Sequence, residues 1–458
     1  MKLTFSAILN KYRGVVIVGL IVVLGTTFLI KGHAATATIA IEAETGARSA
    51  AATVVSDGTA SNAQAIKFGA ATGNFAHPGI LVNRAQLDFT KAKIIAGEQP
   101  WTNLFNTMKA DSLASLNYTP SPAATIDCTV SYTVCDALDV SAKAAYTDAL
   151  LWYFTGNVAY AQKSIEILNA WSAVLRTTNG SQAYLVSAWA ADVYPRAAEI
   201  IRYTYTPSGN EAAFNIPAFN ALLTNVFLPL LGTGSAEMKS SNGNWDLSMT
   251  EGMINIAVFQ DNHTIFDTAL ARWRARTPAY FYLTTDNNSN GVPLAPPGGL
   301  YNSDTKVKCY WLASGTPSTS CDTSNFFVAN GQNQETCRDY GHVGLGTASL
   351  FNAAETAYLQ GTNLYGEQQT RLVTGLEYNA GIMNTRVYPA NICIGAVAAL
   401  KAIITEPTYS IGYNHYANRL HLSLPNTLQT VQRTQVGNTY VKTGLMMVWE
   451  ALTHTNAP

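Results

Sequence analysis

The helical spacing of apolar residues is the feature that most limits how this chain can fold. From about residue 79 onward, apolar residues recur every three or four positions, as at Ile165, Leu168 and Trp171, which predicts amphipathic helices rather than strands. Asp139 is expected to cap a helix that ends at Gly156. Further helices are predicted over 183–203, 212–231, 246–258, 262–283, 338–360, 367–382, 390–404 and 436–453. About ten helices joined by loops suit a helical solenoid or a closed toroid of helical hairpins, and we predict this all-α architecture.

The N-terminus has the composition of an export signal. Three bases within the first 13 residues precede the stretch from Gly14 to Ile30, which is 17 residues without a charge. A basic start, an apolar run and small residues are typical of a secretory signal. We expect export by Sec with cleavage near Ala34 or Ala35, so that the rest of the protein is extracytoplasmic. A retained membrane anchor is the alternative, because 17 residues is about the lower limit for a bilayer-spanning helix.

A short β-rich segment follows the predicted signal of residues 1–35. Residues 38–70 alternate apolar and polar side chains, with Gly, Asp and Ser at the breaks, which predicts short strands. The strings IEAETG and AIKFG resemble the opening of sugar-binding β-sandwich modules, but a whole sandwich needs about 100 residues. We therefore predict a β extension or linker over residues 36–76, with no assigned binding function. The main domain is predicted over residues 77–458.

The charge balance argues against a nucleic-acid binder. Only 12% of the residues are charged, and the formal net charge is −1. The first 35 residues hold four bases and no acid, so the rest carries 24 bases against 29 acids. A nucleic-acid-binding protein would instead carry a strong basic excess. Any anionic ligand must therefore be met by a local group of bases.

Cysteine usage agrees with an oxidising compartment. The six cysteines are Cys128, Cys135, Cys309, Cys321, Cys337 and Cys393. The simplest pairing joins the first two, the middle two and the last two. The middle pair lies in a long polar loop region over 284–333 and, together with Tyr310 and Trp311, favours an ordered active-site loop there. A zinc site is the rival interpretation, but the chain has no CxxC pair and its histidines are scattered. We predict no metal and no cofactor.

The strongest candidate for chemistry lies between residues 330 and 366. Gln334, Arg338 and His342 are spaced i, i+4, i+8, so on a helix they would form one polar stripe, with Glu335 and Asp339 beside it. Acidic residues are common in the first turn of a helix, which accounts for the two acids. It does not account for Arg338 and His342, so we predict a functional site at the start of this helix.

A second candidate lies between residues 240 and 273. Asn244 comes directly before a predicted helix and could be no more than its N-cap. Trp245 heads a series of apolar residues at i+4 spacing, which is more typical of a core than of a ligand surface.

A third candidate lies between residues 407 and 425. Tyr413, His415 and Tyr416 supply titratable groups and flat surfaces on which sugars can stack. A surface turn packed by aromatic side chains explains the same composition equally well.

Three strings resemble the alginate-lyase superfamily of polysaccharide lyases. They are GNWDLSMTEGMINIAVFQDN (243–262), QETCRDYGH (334–342) and AAETAYLQGTNLYG (353–366). With weaker similarity from residue 77 to about residue 425, the resemblance covers most of the chain. It implies an incomplete α/α toroid that cleaves a uronic-acid polysaccharide by β-elimination. This reaction needs a group that neutralises the C5 carboxylate, a base for the C5 proton and an acid for the leaving oxygen.

The resemblance also implies roles for individual residues. Asn244 and Arg338 match positions that recognise the carboxylate, and His342 matches a histidine that we take as the base. Tyr416 is the candidate acid, with Tyr413 and Tyr340 as alternatives. The candidate substrate-binding residues are Gln334, Trp189, Trp245, Tyr413, His415 and Glu335.

Two other functions fit the same fold. An inverting glycoside hydrolase would use two of Glu251, Glu335 and Asp339, roughly 6.5–9.5 Å apart, but this leaves Arg338 and His342 without a role. A non-catalytic, envelope-anchored polysaccharide-binding protein is the third interpretation. Our first choice is a secreted lyase acting on an anionic polymer of the alginate or glucuronan type. We expect a monomer with no nucleic-acid partner and no membrane contact beyond a possible N-terminal anchor.

Overall fold

The computed structural model describes residues 52–56, 64–68, 74–129, 132–232, 243–286, 292–297, 301, 303–312, 328–393, 409–436 and 449–458. The chain divides into two units, residues 1–73 and residues 74–458, which are described separately. The predicted export signal and Cys321 lie outside the described residues. Among the helices within the described ranges, none is long and apolar enough to cross a membrane.

The first unit contains a two-stranded antiparallel hairpin. Strand β1 (Ala52–Ser56) pairs with β2 (Gln64–Phe68), with Ala52 opposite Phe68 and Ser56 opposite Gln64. Both strands lie in the segment where apolar and polar residues alternate, as expected for the period of two along a strand.

The second unit is mainly helical. Its helices are α1 (Arg84–Ile95), α2 (Trp101–Ala110), α3 (Tyr132–Thr155), α4 (Val158–Val174), α5 (Ala183–Thr204), α6 (Ile216–Leu222), α7 (Leu228–Leu231), α8 (Asn244–Phe259), α9 (His263–Arg276), α10 (Asp304–Leu312), α11 (Tyr340–Leu359), α12 (Leu364–Glu367), α13 (Gln369–Thr385), α14 (Tyr409–Tyr413), α15 (Pro425–Val436) and α16 (Glu450–His454). A π-helical segment joins α6 to α7, and another follows α14. Two short parallel strands, β3 (Thr125–Asp127) and β4 (Thr177–Asn179), lie beside them.

The long helices pack against one another in chain order. Helix α3 contacts α4 and α5, α5 contacts α8, and α8 contacts α9 and α11. Every residue of α8 except Trp245 is buried, and most of α11 is buried as well. A helix that is buried on nearly all sides lies inside the protein, so α8 and α11 are inner helices. The predicted all-α class with a short β extension is confirmed.

Short polar side chains define where several helices begin. Such side chains accept backbone N–H groups that have no partner within the helix. Four of these N-caps are Asn83, Asn157, Asn262 and Asp339, which accept from the backbone N–H of Gln86, Ala159, Ile265 and His342.

Three expected boundaries differ from the structure. Asp139 does not cap α3, because the helix begins at Tyr132 and Asp139 lies inside it, paired with Lys143 at 3.0 Å. This i,i+4 ion pair suits a helix interior. The polar region over 284–333 contains a helix, α10. Helix α11 begins at Tyr340 rather than at residue 338.

Two predicted helices near the C-terminus are only partly described. Residues 390–393 form a turn rather than the start of a helix, and 394–404 lie outside the described residues. Over 436–453, α15 ends at Val436 and α16 begins at Glu450, with 437–448 outside the described residues.

Disulfides tie loops to this helical frame. Cys128 pairs with Cys135 and Cys337 pairs with Cys393, as predicted. Cys309 is also disulfide-bonded, while its predicted partner lies outside the described residues. The Cys337–Cys393 bond joins the loop before α11 to the segment after α13.

Candidate active site

The candidate site is built where α8 and α11 begin. Gly243 precedes α8 with a φ of 61°, in the left-handed region that favours glycine. A Cβ at this position would lie 2.7 Å from Glu335 Oε1 and 2.9 Å from the Tyr310 hydroxyl. Glycine therefore lets the backbone approach Glu335 closely, and it places Asn244 directly against the carboxylate.

Glu335 is a fully buried carboxylate surrounded by hydrogen-bond donors. Its Oε2 accepts from the Asn244 backbone N–H at 3.1 Å and from the Tyr280 hydroxyl at 3.0 Å. Its Oε1 accepts from Asn244 Nδ2 at 2.7 Å and lies 3.4 Å from Arg338 Nη1. Hydrogen bonds and a counter-charge must compensate a buried carboxylate for its lost hydration. These four contacts do so, and they hold Arg338 in place.

Two buried tyrosines complete the surroundings of Glu335. Burial raises the pKa of both Tyr280 and Tyr310 well above the usual value, and the negative charge of Glu335 raises each further. Both hydroxyls therefore stay protonated near pH 7. The Tyr280 hydroxyl donates to Glu335 and accepts from Asn333 Nδ2 at 3.4 Å.

Arg338 is the cation that the site presents outward. Its side chain is 28% exposed, whereas that of Glu335 is fully buried. Among the described residues, Glu335 is its only ion-pair or hydrogen-bond partner. A guanidinium has five N–H donors in a planar fork that fits a carboxylate, so most of its donors remain available for an anionic ligand.

His342 lies in the first turn of α11 and is oriented by Asp339. Asp339 Oδ1 accepts from the His342 backbone N–H at 2.9 Å, and Oδ2 lies 2.6 Å from His342 Nδ1. Burial alone would raise the pKa of Asp339, but hydrogen bonds and attraction from His342 bring it below the usual value. This hydrogen-bond geometry assigns a proton to Nδ1, so the neutral imidazole carries its lone pair on Nε2. The His342 side chain is 31% exposed, so Nε2 can meet a ligand.

Gln334 supports the loop, and its role in substrate binding stays a prediction. It is buried, its Oε1 accepts from Arg276 Nη2, and its backbone N–H donates to Tyr280 O at 2.8 Å. Arg276 also pairs with Asp246 of α8 at 3.5 Å. The loop before α11 is thereby fastened to both α8 and α9.

The predicted helical stripe of Gln334, Arg338 and His342 is wrong in its geometry. Residues 334–338 form turns, and only His342 lies on α11. Arg338 and His342 nevertheless come from the same short segment, on either side of the Asp339 cap.

Tyr416 and His415 belong to a different, buried cluster. The Tyr416 hydroxyl donates to Tyr365 O at 3.0 Å, and the His415 ring stacks on the Tyr365 ring with centroids 3.8 Å apart. Burial raises the pKa of Tyr416 and lowers that of His415 to about 4. Neither has a described contact with the residues around Glu335. The acid role of Tyr416 and the binding role of His415 stay predictions that this arrangement does not favour.

The three remaining aromatic candidates are half-buried. Trp189 lies on α5, Trp245 follows Asn244 at the start of α8, and Tyr413 ends α14. Their roles in substrate binding stay predictions.

Gly243 and Tyr280 were not identified from the sequence as members of this cluster, and Tyr310 was predicted only to lie in an active-site loop. The string AYFY around Tyr280 and the tyrosine beside Trp311 are the signals that the sequence offers. The cluster depends on an antiparallel bridge between Phe281 and Asn333, which joins distant parts of the chain. Within the described ranges, no three His, Cys, Asp or Glu side chains are grouped so that they could hold a metal ion.

Comparisons with known proteins agree with this fold. The family model described as alginate lyase matches residues 129–281. An alginate lyase from Bacteroides ovatus superposes with a TM-score of 0.52 at 12% identity, covering 82% of this chain and 99% of that one. Alginate lyase A1-III from Sphingomonas species A1 gives a TM-score of 0.46 at 12% identity, covering 74% of this chain and 88% of that one. No curated protein sequence matches the chain.

The family match covers about a third of the chain, and the Bacteroides ovatus enzyme shares the fold, which agrees with the predicted helical toroid. Asn244 falls within the matched residues. Glu335, Arg338 and His342 lie beyond them, so their roles rest on the geometry of the site.

Proposed function

We propose that the protein cleaves a uronic-acid-containing polysaccharide of the alginate or glucuronan type by β-elimination, leaving unsaturated uronate ends. The observation that carries the proposal is the placement of two half-buried groups on either side of Asp339, the N-cap of α11. Arg338 offers a cation with free donors, and His342 offers an imidazole whose Nδ1 is held by Asp339. An anion-binding group beside an oriented base is what proton abstraction next to a carboxylate requires.

In this mechanism, Arg338 binds the C5 carboxylate of the uronate. A neutralised carboxylate makes the C5 proton more acidic and stabilises the negative charge that develops as the proton leaves. His342 Nε2 takes the proton, the C4–O bond breaks, and the electron pair leaves with the glycosidic oxygen, which is then protonated. A C4–C5 double bond forms, and no water is consumed.

Asn244 acts in this scheme as a positioning residue. It is fully buried, and it donates to both carboxylate oxygens of Glu335, one from its side chain and one from its backbone. Glu335 in turn contacts Arg338. Asn244 therefore influences the substrate carboxylate through Glu335 and Arg338.

The hydrolase alternative is less well supported by the positions of its acids. Glu251 and Glu335 are both fully buried. Glu251 pairs with Arg196, and burial raises its pKa to about 7. Asp339 is engaged with His342. Hydrolysis needs one carboxylic acid at the glycosidic oxygen and one carboxylate at a water, and two of the three candidates have no exposed surface.

We also infer that the protein is exported. The basic and apolar start of the chain and the two described disulfides support export, since disulfides persist in oxidising compartments. N-terminal sequencing of the protein recovered outside the cytoplasm should find cleavage near Ala34 or Ala35. Recovery in the cytoplasm with reduced cysteines would contradict export.

A lyase screen tests the proposed reaction. The protein is incubated with alginate, polymannuronate, polyguluronate, glucuronan and hyaluronan, and ultraviolet absorbance of the new double bond is followed beside a reducing-end assay. Absorbance should rise with at least one polymer, and His342→Ala should lower the rate by roughly 10²–10⁴-fold. Arg338→Ala should abolish the rise in absorbance. Arg274→Ala, which removes an exposed ion pair with Glu367, should leave it unchanged. Reducing ends without absorbance would contradict elimination.

A further inference from the structure

A cavity of about 220 Å³ lies in the second unit, away from the residues around Glu335. It is lined by the start of α2, by α14 and the π-helical segment after it, by α15 and by the C-terminal residues. None of Asn244, Glu335, Arg338 or His342 lines it. A volume of about 30 Å³ per liquid water gives it room for about seven waters, which suits one sugar ring and not a long oligosaccharide.

Among the described residues, most side chains of the lining are polar and none is an acid, a lysine or an arginine. Five of the lining side chains are amides: Gln99, Asn418, Gln432, Gln435 and Asn456. Tyr413 adds a half-buried aromatic ring. His454 is the lining imidazole, and burial lowers its pKa to about 4, so it is neutral near pH 7. The described lining therefore offers no counter-charge to a uronate carboxylate, in contrast to the surroundings of Arg338.

Several lining groups lack partners within the part of the chain that the structure describes. Ser410 Oγ and Trp101 Nε1 are buried without a hydrogen-bond partner there, although the two residues are only 2% and 5% exposed. Gln435 Nε2 donates to Thr455 Oγ1 at 2.9 Å, and Asn418 Nδ2 donates to Asn414 Oδ1 at 3.0 Å. Their carbonyl oxygens therefore remain as acceptors.

We propose that this cavity is a binding site for a neutral sugar ring. A sugar hydroxyl both donates and accepts, so it can pair with the amide carbonyls, and it can reach the Ser410 hydroxyl once that side chain rotates toward the cavity. The apolar face of the ring can pack on Tyr413. A buried polar group without a partner is costly, and a ligand that supplies the partner recovers that cost. The site is independent of the proposed lyase chemistry.

Calorimetric titration of the full chain with methyl glucoside, methyl mannoside and methyl galactoside tests this site. One of them should bind with a stoichiometry of one, and binding should change little with salt, because no charged pair is formed. Ser410→Ala and Gln432→Ala should each weaken binding at least fivefold. Arg338→Ala should leave it unchanged, which separates this site from the lyase site.

Ser410→Ala has a second signature that a merely structural serine would not give. It removes a buried hydroxyl without a described partner, so the melting temperature of the unliganded protein should stay the same or rise. The matched control is Ser164→Ala, which removes a buried hydroxyl that donates to Ala145 O at 2.9 Å. It should lower the melting temperature and leave sugar binding intact.

Three results would overturn the proposal. The first is no saturable binding of any of the three glycosides. The second is equal binding of glycerol, which would show that no sugar ring is recognised. The third is binding that is lost in Arg338→Ala and kept in Ser410→Ala, which would place the sugar at the lyase site.

Discussion

Replacing Asn244 by aspartate tests whether the site is organised around one buried charge on Glu335. In Asn244→Asp, a carboxylate oxygen takes the place of Nδ2, which lies 2.7 Å from Glu335 Oε1. Two full charges at that distance repel by about 6 kcal/mol at an effective dielectric constant of about 20. Keeping one of the two carboxyls protonated costs less, about 4 kcal/mol at pH 7 for a carboxyl with an ordinary pKa of about 3.9. The pair should therefore share a proton, and the variant should lose about 4 kcal/mol of unfolding free energy at pH 7.

The sign of the pH dependence follows from the raised pKa of the folded pair. The unfolded carboxyls ionise near pH 4, whereas the folded pair keeps its proton to a much higher pH. Because the folded state then binds more protons than the unfolded state, stability falls as pH rises, by about 1.4 kcal/mol per pH unit. The loss should therefore shrink to about 1.5 kcal/mol at pH 5.

Urea unfolding at pH 5, 6 and 7 with linear extrapolation measures this loss. The double variant Asn244→Asp/Glu335→Gln again pairs an acid with an amide. At pH 7 it should therefore recover about half or more of the lost unfolding free energy. The control is Asn157→Asp, because Asn157 caps α4 and Asn and Asp are about equal as N-caps. A loss in Asn244→Asp that does not change with pH, or a double variant that recovers nothing, would refute the reasoning.

Three further variants probe other parts of the site. Gly243→Ala should lower the unfolding free energy by about 2 kcal/mol or more and reduce activity, because the added Cβ would lie 2.7 Å from Glu335 Oε1. The control is Gly156→Ala, where φ is 70° and nothing lies within 4 Å of the added Cβ; it should cost about 1 kcal/mol and keep activity. Equal losses of stability in the two variants would show that the contact with Glu335 is unimportant. Asp339→Asn should lower kcat about tenfold or more with little change in KM, because a neutral amide orients the imidazole less well; a change in KM alone would contradict this. Tyr310→Phe should lower kcat, since the Tyr310 hydroxyl lies near Glu335. Tyr416→Phe should keep activity and cost only about 1 kcal/mol of stability. Loss of activity in Tyr416→Phe but not in Tyr310→Phe would show that Tyr416, and not Tyr310, contributes to the reaction.

Local sequence patterns predict the helices of this protein well. Ile165, Leu168 and Trp171 recur at helical spacing and are all buried in α4. Asp339 was explained as an acidic residue at a helix start, and it is the N-cap of α11. Both outcomes depend on residues within one or two turns of each other, which is the range over which helical periodicity and capping act.

The candidate site depends on contacts that such patterns do not reach. Glu335 meets Asn244 across 91 residues and Tyr280 across 55 residues. No periodicity connects these positions. The sequence analysis therefore selected Asn244 and Glu335 as candidates without predicting that they pair with each other. Tyr416 lies in a string crowded with Tyr and His that resembles a sugar-stacking surface, and no local pattern shows that its hydroxyl donates to the backbone carbonyl of Tyr365 in the core.

The origin of the oxygen at the new reducing end tests the central claim most directly. The protein is incubated in water enriched in heavy oxygen with a polymer that it cleaves, and the products are weighed by mass spectrometry. Elimination keeps the glycosidic oxygen on the fragment that carries the new reducing end. The account therefore predicts no heavy oxygen at that end, and an unsaturated partner fragment that is lighter by one water than the product of hydrolysis. Hydrolysis places one solvent oxygen at each new reducing end. Heavy oxygen at every new end, with no unsaturated fragment, would contradict the account.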